Sequence, residues 1–300
     1  MRNLFTLLIA VSFQITIYGQ TISDSSFVVD TIPPALSVKN TKVYKLKPGA
    51  DIPITAIGTG WSLYAFTEIY SKEESSEEKI LSLNVNDIPS FDRHGASVYH
   101  PEADNVGNAL FYGSMGLPIV LLFDKDIRRD AAKIAFLYLE SMSVTGLLYT
   151  GSVYLADRYR PYAYNPEVPM DKRTRGGAKN SFYAGHVALV GTSTFFIAKV
   201  LTDYHPDWKA KWVPFTAAAL ATGTTGLMRY RGGQHFLSDI LLGTTLGTLA
   251  GILVPEFHKN KNADGRLTFT TSYLGTTPQF GFTYKLMKQR HEEMLPVYDQ

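Results

Sequence analysis

The chain has 300 residues, a formal net charge of +2 and no cysteine. This length allows one sizeable domain with appendages. The near-neutral charge gives no indication of nucleic-acid binding, and the missing cysteines exclude thiol catalysis, disulfides and cysteine-ligated zinc.

The N-terminal segment is typical of a secretory signal. Arg2 precedes an apolar stretch that begins at Leu4, and Gly19 stands at a small-residue cleavage position. We predict a signal peptide over residues 1–19, with an uncleaved membrane anchor as the alternative. Residues 20–50, which contain Ser, Thr and Pro without a period, are predicted to be an extended lead-in.

Six apolar segments predict an all-α fold, a helical bundle that occupies residues 51–256. The predicted helices are 51–71, 107–123, 131–156, 182–202, 212–229 and 236–254. The connection 72–106 is long for a structureless loop. Within it, we expect the segment Asp87–Arg93 to form a turn docked on the bundle; a substrate lid is the alternative.

Polar and small residues inside the helices need their own interpretation. Glu140 interrupts an apolar helix, and its carboxylate either bonds to a neighbouring helix or faces water. The glycines of Thr222–Gly226 and Gly243–Gly247 have the spacing of close helix packing. Histidines outside the motifs described below are predicted to lie in loops or on the surface; they are His94, His100, His205, His258 and His291.

The character of the chain changes after Pro255. Residues 267–273 and 279–285 alternate in polarity on either side of a turn signal. This pattern predicts a small β-hairpin in a C-terminal tail over residues 257–300.

One stretch carries the strongest chemical pattern, Arg229-Tyr-Arg-Gly-Gly-Gln-His235-Phe-Leu-Ser-Asp239. If the chain is helical from His235 onward, Asp239 shares its face and fixes the imidazole tautomer. The other ring nitrogen is then a base, a ligand or a nucleophile. Arg229 nearby suggests an anionic substrate, most simply a phosphate. The alternative is a helix pair with a Gly turn, in which His235 and Asp239 merely cap the second helix.

Two upstream stretches, Arg158–Pro161 and Ser181–His186, also precede predicted helices. In an up-down bundle, the connections 157–180 and 230–235 lie at the same end. We therefore predict that the three motifs converge on one pole of the bundle, and this inference depends only on counting helices.

The ordered set RxRP, SFxxGH and RxxxxxHxxxD resembles the type 2 phosphatidic acid phosphatase (PAP2) family, which shares its core with vanadium haloperoxidases and bacterial acid phosphatases. The resemblance covers roughly residues 107–254. It implies a phosphohistidine mechanism that needs no metal or cofactor. His235 is the nucleophile, Asp239 orients its ring and His186 protonates the leaving oxygen.

The resemblance also implies how the phosphate is held. It assigns the phosphate oxygens to Arg160 and Arg229, with a further donor in the backbone N–H of Gly185 near a helix start.

The chain departs from the family pattern at three positions. Val153 stands where the family has Lys, Ala184 where it has Ser, and Met228 replaces the Ser before the motif arginine. The lysine and a serine hydroxyl are thus missing as phosphate donors. We expect Arg158, two residues before Arg160, to take over part of the role of the lysine.

The sequence therefore predicts an active but altered phosphatase acting on a lipid-linked or other periplasmic phosphate monoester or diphosphate. A catalytically degenerate envelope protein, which binds anions or associates through its hairpin, is the alternative from another class. A vanadate-dependent haloperoxidase is a weaker one, since it needs the missing lysine to neutralise its oxyanion. We expect membrane association, a phosphorylated lipid or small-molecule phosphate as substrate, and no nucleic-acid partner.

The membrane topology presents a conflict. Several helices approach the length needed to span a bilayer. A cleaved signal followed by six spans would put the motif pole inside. The loops 124–130 and 208–212 at the other pole are basic, which suits a cytoplasmic face. An uncleaved first segment, a first helix that does not span, or a soluble periplasmic bundle would resolve this. We expect an exported envelope protein whose site faces the periplasm.

Overall fold

The computed structural model describes residues 43–260, 267–274 and 277–284. The predicted signal peptide and most of the lead-in lie outside the described residues. The helical prediction is confirmed for the part of the chain that the structure describes. Its ten α-helices are α1 Pro48–Tyr70, α2 Glu77–Leu81, α3 Pro101–Gly116, α4 Lys125–Arg129, α5 Ala131–Leu155, α6 Pro161–Tyr164, α7 Met170–Thr174, α8 Gly185–Tyr204, α9 Trp212–Arg231 and α10 Leu237–His258.

Short 3₁₀ helices fill several of the connections; they are Val85–Asp87, Arg93–Ser97, Leu117–Phe123 and Gly176–Lys179. The second long helix begins earlier than predicted because Pro101 occupies its first turn, where a missing N–H costs nothing. Its α-helical part ends at Gly116, just before Pro118, and the chain continues as the 3₁₀ segment. The sixth helix was predicted to stop at residue 254, but α10 continues through Pro255 to His258.

Residues Val43–Lys259 form one compact unit, and α8 is its central helix. The helices α3, α5, α9 and α10 all pack against it. The predicted close packing of Gly243–Gly247 is present between α8 and α10. A Cβ on Gly247 would lie 2.1 Å from the Ala188 carbonyl oxygen, and one on Gly243 would lie 2.6 Å from that of Ala184. The two backbones are therefore in direct contact.

Four helical stretches are long and apolar enough to cross a membrane, by length and composition. They are Pro101–Phe123, Ala131–Leu155, Gly185–Tyr204 and Leu237–His258. Among the described residues, α1 and α9 do not meet the same measure. The four stretches agree with a membrane-associated protein.

The strands β1 Leu267–Leu274 and β2 Thr277–Tyr284 lie outside the helical unit. They pair antiparallel, with Leu267 opposite Tyr284 and Leu274 opposite Thr277. Residues 275–276, where the turn was predicted, lie outside the described residues, so the hairpin stays a prediction.

Candidate active site

The three motifs meet at one end of the bundle. The N–H of Tyr162, beside the first motif, donates to the Gly233 carbonyl at 3.0 Å. His235 of the third motif bonds to Ser181 of the second at 2.7 Å. Gly233 has a φ of +65° and turns the chain between α9 and α10, as the Gly-Gly sequence indicated. Residues more than fifty positions apart therefore form one cluster.

His235 is held in one tautomer by a backbone group. Its side chain is 1% exposed, and Nδ1 lies 2.7 Å from the Ser181 carbonyl oxygen. A carbonyl only accepts, so Nδ1 carries the proton. In a neutral ring the lone pair is then on Nε2.

The predicted hydrogen bond between His235 and Asp239 is wrong. The prediction required a helix from His235 onward, but α10 begins at Leu237 and Phe236 is extended with ψ of 164°. His235 therefore lies before the first helical turn and does not share a face with Asp239. The backbone carbonyl of Ser181, in the second motif, accepts the hydrogen bond from His235 that was predicted for the Asp239 carboxylate.

Asp239 positions His235 indirectly, through Ser181. It is fully buried and accepts from Ser181 Oγ at 2.7 Å and from the Phe236 N–H at 3.0 Å. The first bond fixes the residue whose carbonyl holds His235, and the second caps α10. Asp239 thus positions Ser181, and Ser181 positions His235.

Arg158 does not face the phosphate position, contrary to the prediction. Its guanidinium contacts Asp239 and the buried Asp92, the latter at 2.8 Å, and donates to Ser238 at 2.9 Å. It also lies 4.6 Å above the Phe236 ring. Two buried carboxylates neutralise it, so Arg158 ties the first motif to the start of α10. The neighbouring Asp157 pairs with Lys72 instead, at 2.7 Å.

Arg160 and Arg229 belong to one polar chain. Arg160 donates to Gln234 and, at 3.0 Å, to the Gly177 carbonyl. Gln234 donates to Asp104 at 3.1 Å, and Asp104 also accepts from Arg229. Arg229 is 3% exposed, and its Nε has no hydrogen-bond partner in the structure. Each guanidinium therefore keeps donor capacity for a further anion.

The electrostatic setting keeps His235 neutral. Burial and the positive charges of Arg160 and Arg229 lower the pKa of His235 well below its ordinary value, against the raising effect of the Ser181 carbonyl. An uncharged imidazole between two cations is a nucleophile that an anion can approach.

His186 and Gly185 stand at the start of α8, next to this cluster. A charge on His186 acts on His235, so the two rings are neighbours. The His186 ring is partly exposed, with its centroid 4.4 Å from that of Phe111. A Cβ on Gly185 would lie 2.5 Å from the Tyr149 ring, which explains the glycine by packing. Tyr149 lies within electrostatic reach of both Arg160 and Arg229.

A cavity of about 480 Å³ is lined by Arg160, Gln234 and Asp104 of the polar chain described above. Its lining includes three cations besides Arg160, namely Lys72, Lys172 and Arg175. Lys72 donates to the Val153 carbonyl at 2.8 Å, so an ammonium group stands close to the position where the family has its lysine. The full lining is Tyr70, Lys72, Glu74, Asp104, Arg160, Tyr162, Lys172, Arg175, Gly176, Gly177 and Gln234.

Sequence reasoning missed several of these residues. Asp92, Asp104 and Lys72 stand singly in or near the long 72–106 connection, without a motif around them. Docking of the Asp87–Arg93 segment was predicted, and it is present. Ile88 packs in a buried cluster with Ala96 and Phe236, and Asp92 accepts from the Ser238 N–H at 3.0 Å. The only sequence feature that points to Tyr149 is its position one helical turn before Val153.

Comparisons with known proteins follow the same motifs. The family model of the PAP2 superfamily matches residues 134–263, which include α8, α9, α10 and all three motifs. The resemblance inferred from the motifs is thereby confirmed. The lipid A 1-phosphatase of Porphyromonas gingivalis is 23% identical over 305 residues, a match that covers 96% of this chain and 55% of the relative. The chain thus spans about half the length of this curated relative.

A solved structure is also similar. It is the transmembrane PAP2-type phosphatidylglycerolphosphate phosphatase from Bacillus subtilis, with a TM-score of 0.42 and 17% identity. The similarity covers 69% of this chain and 94% of that structure.

Proposed function

We propose that this chain, whose residues 134–263 match the family model of the PAP2 superfamily, is a phosphatase that hydrolyses a phosphorylated lipid through a phosphohistidine on His235. One observation carries the proposal. His235 Nδ1 donates a hydrogen bond to the Ser181 carbonyl, so the lone pair of the neutral ring is on Nε2. The positive charges of Arg160 and Arg229 are close enough to act on this ring. This arrangement supports attack on an anionic phosphorus centre.

The reaction has two steps. Nε2 of His235 attacks phosphorus while the bond to the leaving oxygen breaks, and His186 gives that oxygen a proton. Water then attacks the phosphohistidine, His186 takes its proton, and the P–N bond breaks to release phosphate and neutral His235. Arg160 and Arg229 stabilise the charge on the equatorial oxygens in both steps.

The lipid substrate is supported by the setting of the site and by the relative. Four helices have the length and apolar composition to cross a membrane, and a basic cavity lies at one end of the bundle. The Porphyromonas gingivalis relative is a lipid A 1-phosphatase. A phosphomonoester on a lipid headgroup is therefore the substrate class we propose, with lipid diphosphates as the second class to assay.

Phosphate release from purified full-length protein tests the proposal. The panel contains a glycolipid phosphate, a glycerolipid phosphate and a lipid diphosphate, each assayed with and without vanadate. We expect turnover that vanadate inhibits and that His235→Ala abolishes. His100→Ala is the matched control, because His100 is exposed and its side chain makes no cap bond. Turnover that survives in His235→Ala would refute the mechanism, whereas vanadate binding without any turnover would favour the degenerate binding protein.

A further inference from the structure

A second cluster of ionisable residues lies at the opposite end of the bundle from His235. Asp51 of α1, Glu140 of α5 and His258 of α10 are all buried, with exposures of 3%, 3% and 6%. His258 ends α10, whose 22 residues separate it from His235 by about 33 Å at 1.5 Å per residue. The phosphatase chemistry proposed above therefore does not use this cluster.

The three side chains present their free electron pairs to one another. His258 Nδ1 lies 2.7 Å from the Val254 carbonyl, which fixes the proton on Nδ1 and leaves Nε2 as the acceptor in a neutral ring. Nε2 lies 3.1 Å from Asp51 Oδ1 and 3.5 Å from Glu140 Oε2. Glu140 Oε2 is buried and has no hydrogen-bond partner in the structure. Three acceptors thus face one point.

The charge of this arrangement favours a bound cation. Two carboxylates and a neutral imidazole out of water carry a charge of −2, which is costly unless it is compensated. A nearby buried cluster shows the contrast, since Lys199 and Lys259 neutralise Asp203 at 2.6 and 2.9 Å. No Lys or Arg forms such an ion pair with Asp51 or Glu140 in the part of the chain that the structure describes.

We propose that Asp51, Glu140 and His258 bind a divalent transition-metal ion of the Zn²⁺ type, which joins α1, α5 and α10. The ligand atoms all lie within 4.8 Å of one another. Tetrahedral Zn²⁺ with bonds of 2.0–2.1 Å separates its ligand atoms by about 3.4 Å, close to the two distances given above. Two carboxylates and one imidazole, whose other nitrogen bonds to a carbonyl, are a ligand set that such ions take.

Binding to the metal-stripped full-length protein in detergent tests this site. We expect one Zn²⁺ per chain, a higher unfolding temperature with Zn²⁺ than with chelator, and a Co²⁺ absorption spectrum typical of tetrahedral N/O ligands. Glu140→Gln keeps the shape of the side chain and removes the charge, so Zn²⁺ affinity should fall by about tenfold or more. His205→Ala is the control, because His205 lies at the same end of the bundle and pairs with Asp124 at 2.7 Å, apart from the three-residue cluster.

The main competing explanation is a proton, since an imidazolium between two carboxylates would reduce the net charge of the cluster from −2 to −1. In that case neither Zn²⁺ uptake nor a Co²⁺ spectrum is seen in the wild-type protein, and the proposal is wrong. It is equally wrong if Zn²⁺ binds but Glu140→Gln retains full affinity, or if His205→Ala removes the ion. The Co²⁺ spectrum of the wild type decides the matter even if Glu140→Gln does not fold.

Discussion

At the scale of single residues, the surroundings of His235 decide its protonation. Because burial and the charges of Arg160 and Arg229 lower its pKa, the ring loses its proton below the ordinary value of about 6.5. In the proposed mechanism the neutral form of His235 is the one that attacks phosphorus. The acid limb of kcat/KM, which reports the free enzyme, should therefore lie below pH 6.5. Arg160→Gln removes one positive charge, so the pKa of His235 should rise and the limb should move to higher pH.

The pH profiles of kcat/KM are measured with the same substrate for the wild type and for Arg160→Gln. The titration of the substrate phosphate is then the same in both profiles and cancels in the comparison. Lys172→Gln is the matched control, since Lys172 lines the cavity and is not among the charges that lower the pKa of His235. A limb that does not move in Arg160→Gln, or that moves equally in Lys172→Gln, would contradict the assignment.

Arg158 should behave as a structural residue. Its loss leaves Asp92 and Asp239 buried without their ionic partner, and breaking such a buried pair costs about 3–5 kcal/mol. The guanidinium is 23% exposed, so we expect Arg158→Gln to lower the free energy of unfolding by less than that. Vanadate affinity of the folded fraction should change little, whereas Arg160→Gln should weaken vanadate binding and leave stability nearly unchanged.

Adding Asp92→Asn to Arg158→Gln should restore part of the lost stability, because one uncompensated charge disappears. Thermal unfolding and vanadate inhibition, measured on both variants, separate the two roles. If Arg158→Gln lost much of its vanadate affinity and kept its stability, Arg158 would be a phosphate-binding residue, as the sequence predicted.

The same residues mark the limit of prediction from sequence. His235, His186 and the two arginines proposed to hold phosphate could be named because motif order and helix counting both point to one pole. The partner of His235 could not, because it is a backbone carbonyl of Ser181, and a sequence carries no signal for which carbonyl a ring meets. Asp92 could not either, since its contacts depend on how a long connection docks.

At the scale of elements, the contact between α8 and α10 depends on glycine. A Cβ on Gly247 would lie 2.1 Å from the Ala188 carbonyl oxygen, so the two backbones must separate if one is added. Gly247→Ala should lower the free energy of unfolding by about 1–3 kcal/mol. Gly223→Ala on α9 is the control, because a Cβ there has no atom within 4 Å in the described structure.

In that control only the helix propensity changes, which favours Ala by up to about 1 kcal/mol. Thermal unfolding of both variants in the same detergent is the measurement. Equal effects of the two substitutions would mean that the close contact is absent.

The long helices were predictable and the short ones were not. Segments such as α5 and α9 have enough apolar residues for a period to be read, and they begin at the predicted residues. The helices α2, α4, α6 and α7 have four or five residues each, which is too short for any period. His258 was predicted to lie in a loop or on the surface because no motif surrounds it; α10 continues through Pro255 and carries it into the buried cluster instead.

At the scale of the whole molecule, the long helices alternate in direction and separate two poles. The candidate site lies at the ends of α1, α5 and α9 and the starts of α3, α8 and α10. The opposite pole carries Lys125, Arg128 and Arg129 in α4 and the lysines of the 205–211 connection. Two basic residues at the site pole have local hydrogen-bond partners. Arg173 donates to the Ala163 carbonyl at 2.9 Å and Lys172 to Tyr99 at 2.9 Å.

This asymmetry predicts an orientation across the membrane. The basic loops of the opposite pole suit the cytoplasmic face, so the site pole should face the periplasm. The chain has no cysteine, so a single engineered one is a unique label. Asp171→Cys reports the site pole and Asp126→Cys the other, because these side chains are 71% and 63% exposed.

With only the outer membrane permeabilised, an impermeant maleimide should label Asp171→Cys and not Asp126→Cys. Breaking the inner membrane should make Asp126→Cys reactive. The reverse pattern would place the candidate site in the cytoplasm and exclude a periplasmic substrate. Labelling of both positions before the inner membrane is broken would mean that the bundle does not span it, and the exposed apolar faces of α3, α5 and α10 would then need another partner to cover them.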